Sequence, residues 1–191
     1  MGHRDMIITS LTQHTLNRHG TRALELLTEY WTKLASSGDI PLWSEVDPGQ
    51  IQDALDHAFL AERFGHCHAR IRVAGGGVED MAGQRCPGLP LSLLIQAADR
   101  AVFNDAMTSC CSGRVVDIAL TCSPDAANRE VTARMVLFPL RDTGGIVRQF
   151  LGGLAPVGDA TVQVGGFGVT KLSVHPATAR WSKPRLVVDN T

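Results

Sequence analysis

No stretch of this 191-residue sequence approaches the roughly 18 consecutive apolar residues of a membrane-spanning helix. The opening, "MGHRDMIITSLTQHTLNRHG", lacks the continuous apolar core of a secretory signal. Met6 also stands where a myristoylation motif requires Ser or Thr. These absences lead us to expect a soluble, cytoplasmic protein with no membrane partner. Charge is scarce as well. The net charge is -1, and the 15 arginines and three lysines nowhere form a five-residue basic run. Without a global field there is nothing to draw the chain onto nucleic acid, and no nucleic-acid partner is expected.

Cysteine is present but not in a useful pattern. There are five cysteines, an odd number, and no C-x-x-C pair, which argues against a disulfide framework and against a zinc ribbon. "HCH" at His66 to His68 is the nearest thing to a metal-ligand cluster. Successive strand residues face opposite ways, so Cys67 turns away from both histidines, and no metal site is expected.

The reaction signatures are missing too. None of the three lysines follows a glycine, so there is no Walker loop. Gly75 and Gly77 begin a dinucleotide fingerprint, but Asp80 stands where its third glycine belongs. There is no G-x-S-x-G elbow, no H-E-x-x-H and no deaminase H-x-E. Cys110 and Cys111 have only Arg114 nearby to activate a thiol. His57 has no evident acid or nucleophile beside it, and capping of the following helix accounts for Asp47. We therefore expect no catalytic residue and no enzyme.

What is present is periodic. Residues 1–20 show no sustained period and read as a mobile arm. In "TRALELLTEYWTKLASSGD", Leu24, Leu27, Trp31 and Leu34 share one helical face, with Leu26 and Tyr30 beside it. Thr21 is the expected N-cap and Gly38 the stop. This helix either packs on its own domain or forms an interface through Leu27, Tyr30, Trp31 and Leu34. Asp47-Pro48 starts a second helix. "AFLAER" and "HARIRVAG" read as a hairpin turning near Gly65, with Ile71 and Val73 on one face and Arg70 and Arg72 on the other.

After Gly75 to Gly77 comes one helical turn. A long helix is expected over 89–110, with Leu91, Leu94, Ile95, Ala98 and Val102 on one side. "RVVDIALTC", "REVTARMVLFPLR" and "IVRQFLGGLAP" are three strands joined closely enough to pair antiparallel. The remaining residues, 158–191, read as a peripheral and partly extended tail. The fold class is α+β: one antiparallel sheet with helices on one face, preceded by the amphipathic helix.

Three segments, "YWTKLASSGDIPLWSEVDP", "RIRVAGGGVEDMAGQRCPG" and "MVLFPLRDTGGIVRQFLGGLAP", resemble a family of small stand-alone bacterial PAS domain proteins in their order and spacing. The resemblance covers residues 22 to 157. It departs from the family at Gly76, where Thr is usual, and at Trp43, where a polar or basic residue is. It implies a PAS-like five-stranded sheet over 21–157 and a sensory role. On that basis the chain acts through a homodimer made by the N-terminal helix or through a signalling partner, gated by a small ligand. The other readings are a cavity enzyme and a purely structural dimerisation module. A ligand would lie between the sheet and the helices, near Arg72, Met81, Leu94, Ile118 and Met135. No haem is expected, since residues 89–110 hold no histidine, and no covalent flavin, since no cysteine stands in an N-C-R context. The identity of any cofactor stays open. The Gly75 to Gly77 run is read as a structural turn that needs positive φ or close backbone approach.

Overall fold

Among the described residues, alternating apolar positions build six strands: β1 (Ala58–Phe64), β2 (His68–Ala74), β3 (Arg114–Cys122), β4 (Val131–Arg141), β5 (Val147–Val157) and β6 (Gly168–Pro176), with short turns joining β1 to β2 and β4 to β5. The computed structural model describes residues 3–122, 131–157 and 166–177, with side chains from residue 19 onward. Every strand pairing is antiparallel, and the order across the sheet is β2-β1-β5-β4-β3-β6. The sixth strand is an addition to the five expected. It lies within the segment read as a tail and pairs with β3 from Arg114 opposite Pro176 to Thr121 opposite Gly168.

The two faces of the sheet hold two separate apolar clusters. The inner face packs against α2 (Gly76–Ala82), α3 (Arg100–Cys111) and the 3-10 turn Leu91–Leu94. The outer face packs against α1 (His3–Leu34) and the 3-10 segment Pro48–His57. This double burial explains why β4 and β5 carry continuous apolar runs rather than a strict alternation. Gly153, on β5, marks the closest approach. A Cβ there would stand 2.5 Å from the Leu24 side chain and 2.8 Å from that of Leu27, so only glycine lets α1 lie this low on the sheet.

Several expectations change. No proline interrupts residues 3–34, and α1 begins at His3, passing through both the expected arm and the expected cap at Thr21. The single long helix over 89–110 is three pieces: Leu91–Leu94, Ala97–Asp99 and α3. Its break has a cause in Phe167. The Phe167 amide donates to the Leu94 carbonyl at 2.7 Å, and the Gln96 amide donates to the Phe167 carbonyl at 2.9 Å, which holds Ile95 extended. Val102 accordingly faces solvent rather than the side shared by Leu91 and Leu94.

The glycine run is explained by close approach and not by positive φ. Gly75 has φ -72°, and a Cβ there would lie 2.0 Å from the Leu55 carbonyl oxygen. Asp56 fills the place a phosphate would take, its Oδ1 accepting from the Gly77 amide at 3.0 Å. The run is the packing seam between Pro48–His57 and α2.

Candidate functional site

The inner face of the sheet and the helices over it enclose one buried apolar cluster. Met81 comes from α2, Leu94 from the 3-10 turn, Ile118 from β3 and Met135 from β4. The fold brings all four into one buried cluster. Ile118 and Met135 are directly cross-strand partners. Phe103, Met107, Phe150 and Leu154 belong to the same cluster. Three thiols, those of Cys86, Cys110 and Cys122, also belong to it.

Arg72 does not join them. It projects from the opposite face of β2, half exposed, and pairs there with Glu62 of β1. Ala69 and Ile71 take the inward positions. The register shift between Leu60 and Ala61 turns the strand end, so that Val73 is 61% exposed instead of sharing a face with Ile71. On this outer hairpin surface Arg70 also sits over the Phe64 ring, 5.1 Å from its centroid.

Sequence reasoning missed Phe167. It is fully buried in the inner cluster, held by the two backbone hydrogen bonds to Leu94 and Gln96. Gln96 adds a side-chain bond to the Gly166 carbonyl at 3.0 Å, and Asp99 Oδ2 accepts from the Val169 amide at 2.9 Å. The only advance signal was an aromatic residue in a Gly- and Val-rich stretch.

The expected interface residues are used inside the chain. Leu27, Tyr30 and Trp31 are buried against the outer face of the sheet, and Leu34 is half-buried beside them. The Trp31 ring stacks on Phe138 with centroids 5.5 Å apart, and its Nε1–H donates to the Pro139 carbonyl at 3.0 Å. The Tyr30 hydroxyl accepts from the Asp47 amide at 2.6 Å. Asp47 itself caps Pro48–His57 through the Gly49 amide, as expected. Beyond α1 the outer face carries a bidentate ion pair between Arg134 and Asp117, with N–O distances of 2.7 and 2.6 Å.

The thiols are held in their protonated form. Burial pushes the Cys110 thiol well up, and the neighbouring Cys111 adds to this. Cys111 is pushed up to about 12, first by burial and then by the hydrogen bond and charge of Cys67, against an opposing pull from Arg63. Both groups thus keep their protons in the fold over a range where an unfolded cysteine loses its own. Their contribution to stability is complete below pH ~9 and falls as the pH rises toward 12. We expect denaturant unfolding at pH 8 and at pH 10.5 to show a stability loss that is smaller in Cys111→Ser than in the unaltered protein. An equal loss in both would remove Cys111 from the account. Among the described residues no three His, Cys, Asp or Glu side chains converge as a metal-ligand set. No helix among them is long and apolar enough to cross a membrane.

A family model described as "PAS domain" matches residues 19–155. The match ends before Phe167 and β6. No curated protein matches the chain significantly. Among solved structures the chain is similar to a light-oxygen-voltage domain studied with a flavin analogue, at 16% identity and a TM-score of 0.46, covering 58% of this chain and 84% of that one. It is similar to the dark form of the Aureochrome1 LOV photoreceptor domain, at 16% identity and a TM-score of 0.44, covering 57% and 80%. A Rhodobacter sphaeroides LOV protein follows at 18% identity and a TM-score of 0.42, covering 55% and 60%. At these identities and scores, what those proteins bind says nothing about this one.

Proposed function

The chain belongs to the PAS domain family, and from that premise we propose that it is a sensory, regulatory protein that responds to a small apolar ligand by changing how α1 sits on the sheet. The observation that carries this reading is the double burial of β4. Met135 and Leu137 face the inner compartment, while Val136 and Phe138 on the same strand face α1. A guest that displaces Met135 therefore shifts a strand whose other side is stacked against Trp31. The response is a population shift: a ligand preferring one packing of helix on sheet biases the equilibrium by its differential affinity for the two. In this reading the inner lining, apolar but for its thiols, selects hydrophobic or weakly polar ligands.

The output is protein–protein contact through α1. Because Leu27, Tyr30 and Trp31 are occupied, the surface offered to a second copy of the chain is the outward side of the helix. Arg22, Glu25 and Glu29 form an ion-paired stripe there, beside half-buried Leu26. Native mass spectrometry of the freshly purified full chain, beside the same sample denatured, tests both halves. A dimer carrying an added small mass that is lost on denaturation supports the reading. A bare monomer at all concentrations counts against it.

A further inference from the structure

A second site lies at the end of the sheet, outside the inner compartment. A cleft of about 400 Å³ opens between the corner that follows α1, the start of β3 and the end of β4, lined among others by Gly38, Asp39, Gly113, Arg114, Arg141 and Gly145. That volume suits a small molecule. Its charge is unbalanced: two guanidinium groups face one carboxylate. Asp39 is 71% exposed, and its Oδ2 stands 3.7 Å from Arg141 Nη2, within ion-pair range but too far for a hydrogen bond.

The informative atom is Arg141 Nε. It is buried and has no hydrogen-bond acceptor among the described residues. An unsatisfied buried N–H on a permanently charged group is costly, and native structures seldom leave one without an acceptor from somewhere. Nε and Nη2 form the parallel fork that matches the two oxygens of a carboxylate or phosphate. The wall opposite is open. At Gly38 and Gly145, both with positive φ, a Cβ would meet nothing within 4 Å.

We propose that this cleft binds the oxyanion of a small molecule, a carboxylate or a phosphate, with the Arg141 guanidinium turning its buried Nε–H into the cleft to become the bidentate partner and Arg114 as the second charge. Asp39 is then the internal competitor that the anion displaces. The site is coupled to α1 by a short path. The Arg141 amide donates to the Pro41 carbonyl at 2.9 Å, and two residues earlier on β4 the Pro139 carbonyl receives the Trp31 indole. The inference goes beyond the inner-compartment reading and does not depend on it.

The test is a titration of the full chain with sodium phosphate and, separately, sodium acetate. Ionic strength is held constant with chloride, and the Arg Nε–H resonances are followed by NMR. The expected result is a saturable shift of the Arg141 Nε–H with at least one of the two ions, and which ion does so identifies the source chemistry. Arg114→Gln should weaken the apparent Kd, and Asp39→Asn should tighten it, each by roughly two- to fivefold, the size of a partly exposed charge pair. Asp39 is exposed, so its variant leaves the fold intact and the sign of its effect can be read. No saturable shift with either ion would overturn the proposal. So would a Kd that Arg114→Gln and Asp39→Asn leave unchanged.

Discussion

Replacing Trp31 with alanine is expected to lower the unfolding free energy by about 3–5 kcal/mol, the range for truncating a large buried aromatic. Trp31 is 2% exposed and stacks on Phe138. Removing it opens a cavity between α1 and β4 and leaves the Pro139 carbonyl without its indole donor. Trp31→Phe keeps most of the packing and loses the hydrogen bond, so its cost should fall to about 1–3 kcal/mol. Urea unfolding measures both. The decisive control is protein concentration. If Trp31 acts within its own chain, the loss is the same across a hundredfold dilution. If the residue works at a dimer seam, the loss shrinks as dilution separates the subunits of the unaltered protein. Trp43→Ala, at a position 39% exposed, should change stability by less than about 0.5 kcal/mol.

The Trp31 result bears on what a sequence can say about a helix. The spacing of Leu24, Leu27, Trp31 and Leu34 makes the apolar face plain, but an apolar face does not name its partner. The partner was written elsewhere, in "MVLFPL" and "FLGGLAP", whose unbroken apolar character belongs to strands covered on both sides. Taken together, the helix and those runs call for α1 on the outer face of the sheet. Alternation on β3 and β4 puts Ile118 and Met135 on the apolar faces of their strands and helical spacing gives Leu94 its apolar side, whereas Met81 was grouped with them only by the family resemblance. Arg72 was the exception, and alternation already placed it opposite Ile71.

Other features had no local signal. The break in the expected 89–110 helix depends on Phe167, some seventy positions later in the chain. The Arg114–Arg141 cleft depends on antiparallel pairing, which sets the start of β3 beside the end of β4. Neither arginine stands in a motif. Only the register of the sheet brings them to one place.

Phe167→Ala should be as costly as Trp31→Ala, about 3–5 kcal/mol, although the residue lies outside the span matched by the PAS domain family. Its ring is fully buried in the inner cluster, and its backbone is bonded on both sides to the Leu94–Gln96 segment. Truncation removes the ring and keeps those backbone bonds, so β6 should stay paired to β3. Hydrogen exchange at Gln96 and Val169 should then remain protected, because their amides donate to the Phe167 carbonyl and to Asp99 Oδ2. Loss of protection at both would mean that the ring, and not the backbone, anchors the strand. A stability change below about 1 kcal/mol would mean that the ring contributes little to the core. Phe167→Leu, which keeps most of the apolar volume, should cost less than about 1.5 kcal/mol. The truncated variant also gives the inner compartment an apolar void of known position. Such voids stay dry and take up benzene, so saturating benzene should return part of the lost stability to Phe167→Ala and none to the unaltered protein. That gain would show that the Phe167 ring fills this end of the inner cluster in the unaltered protein.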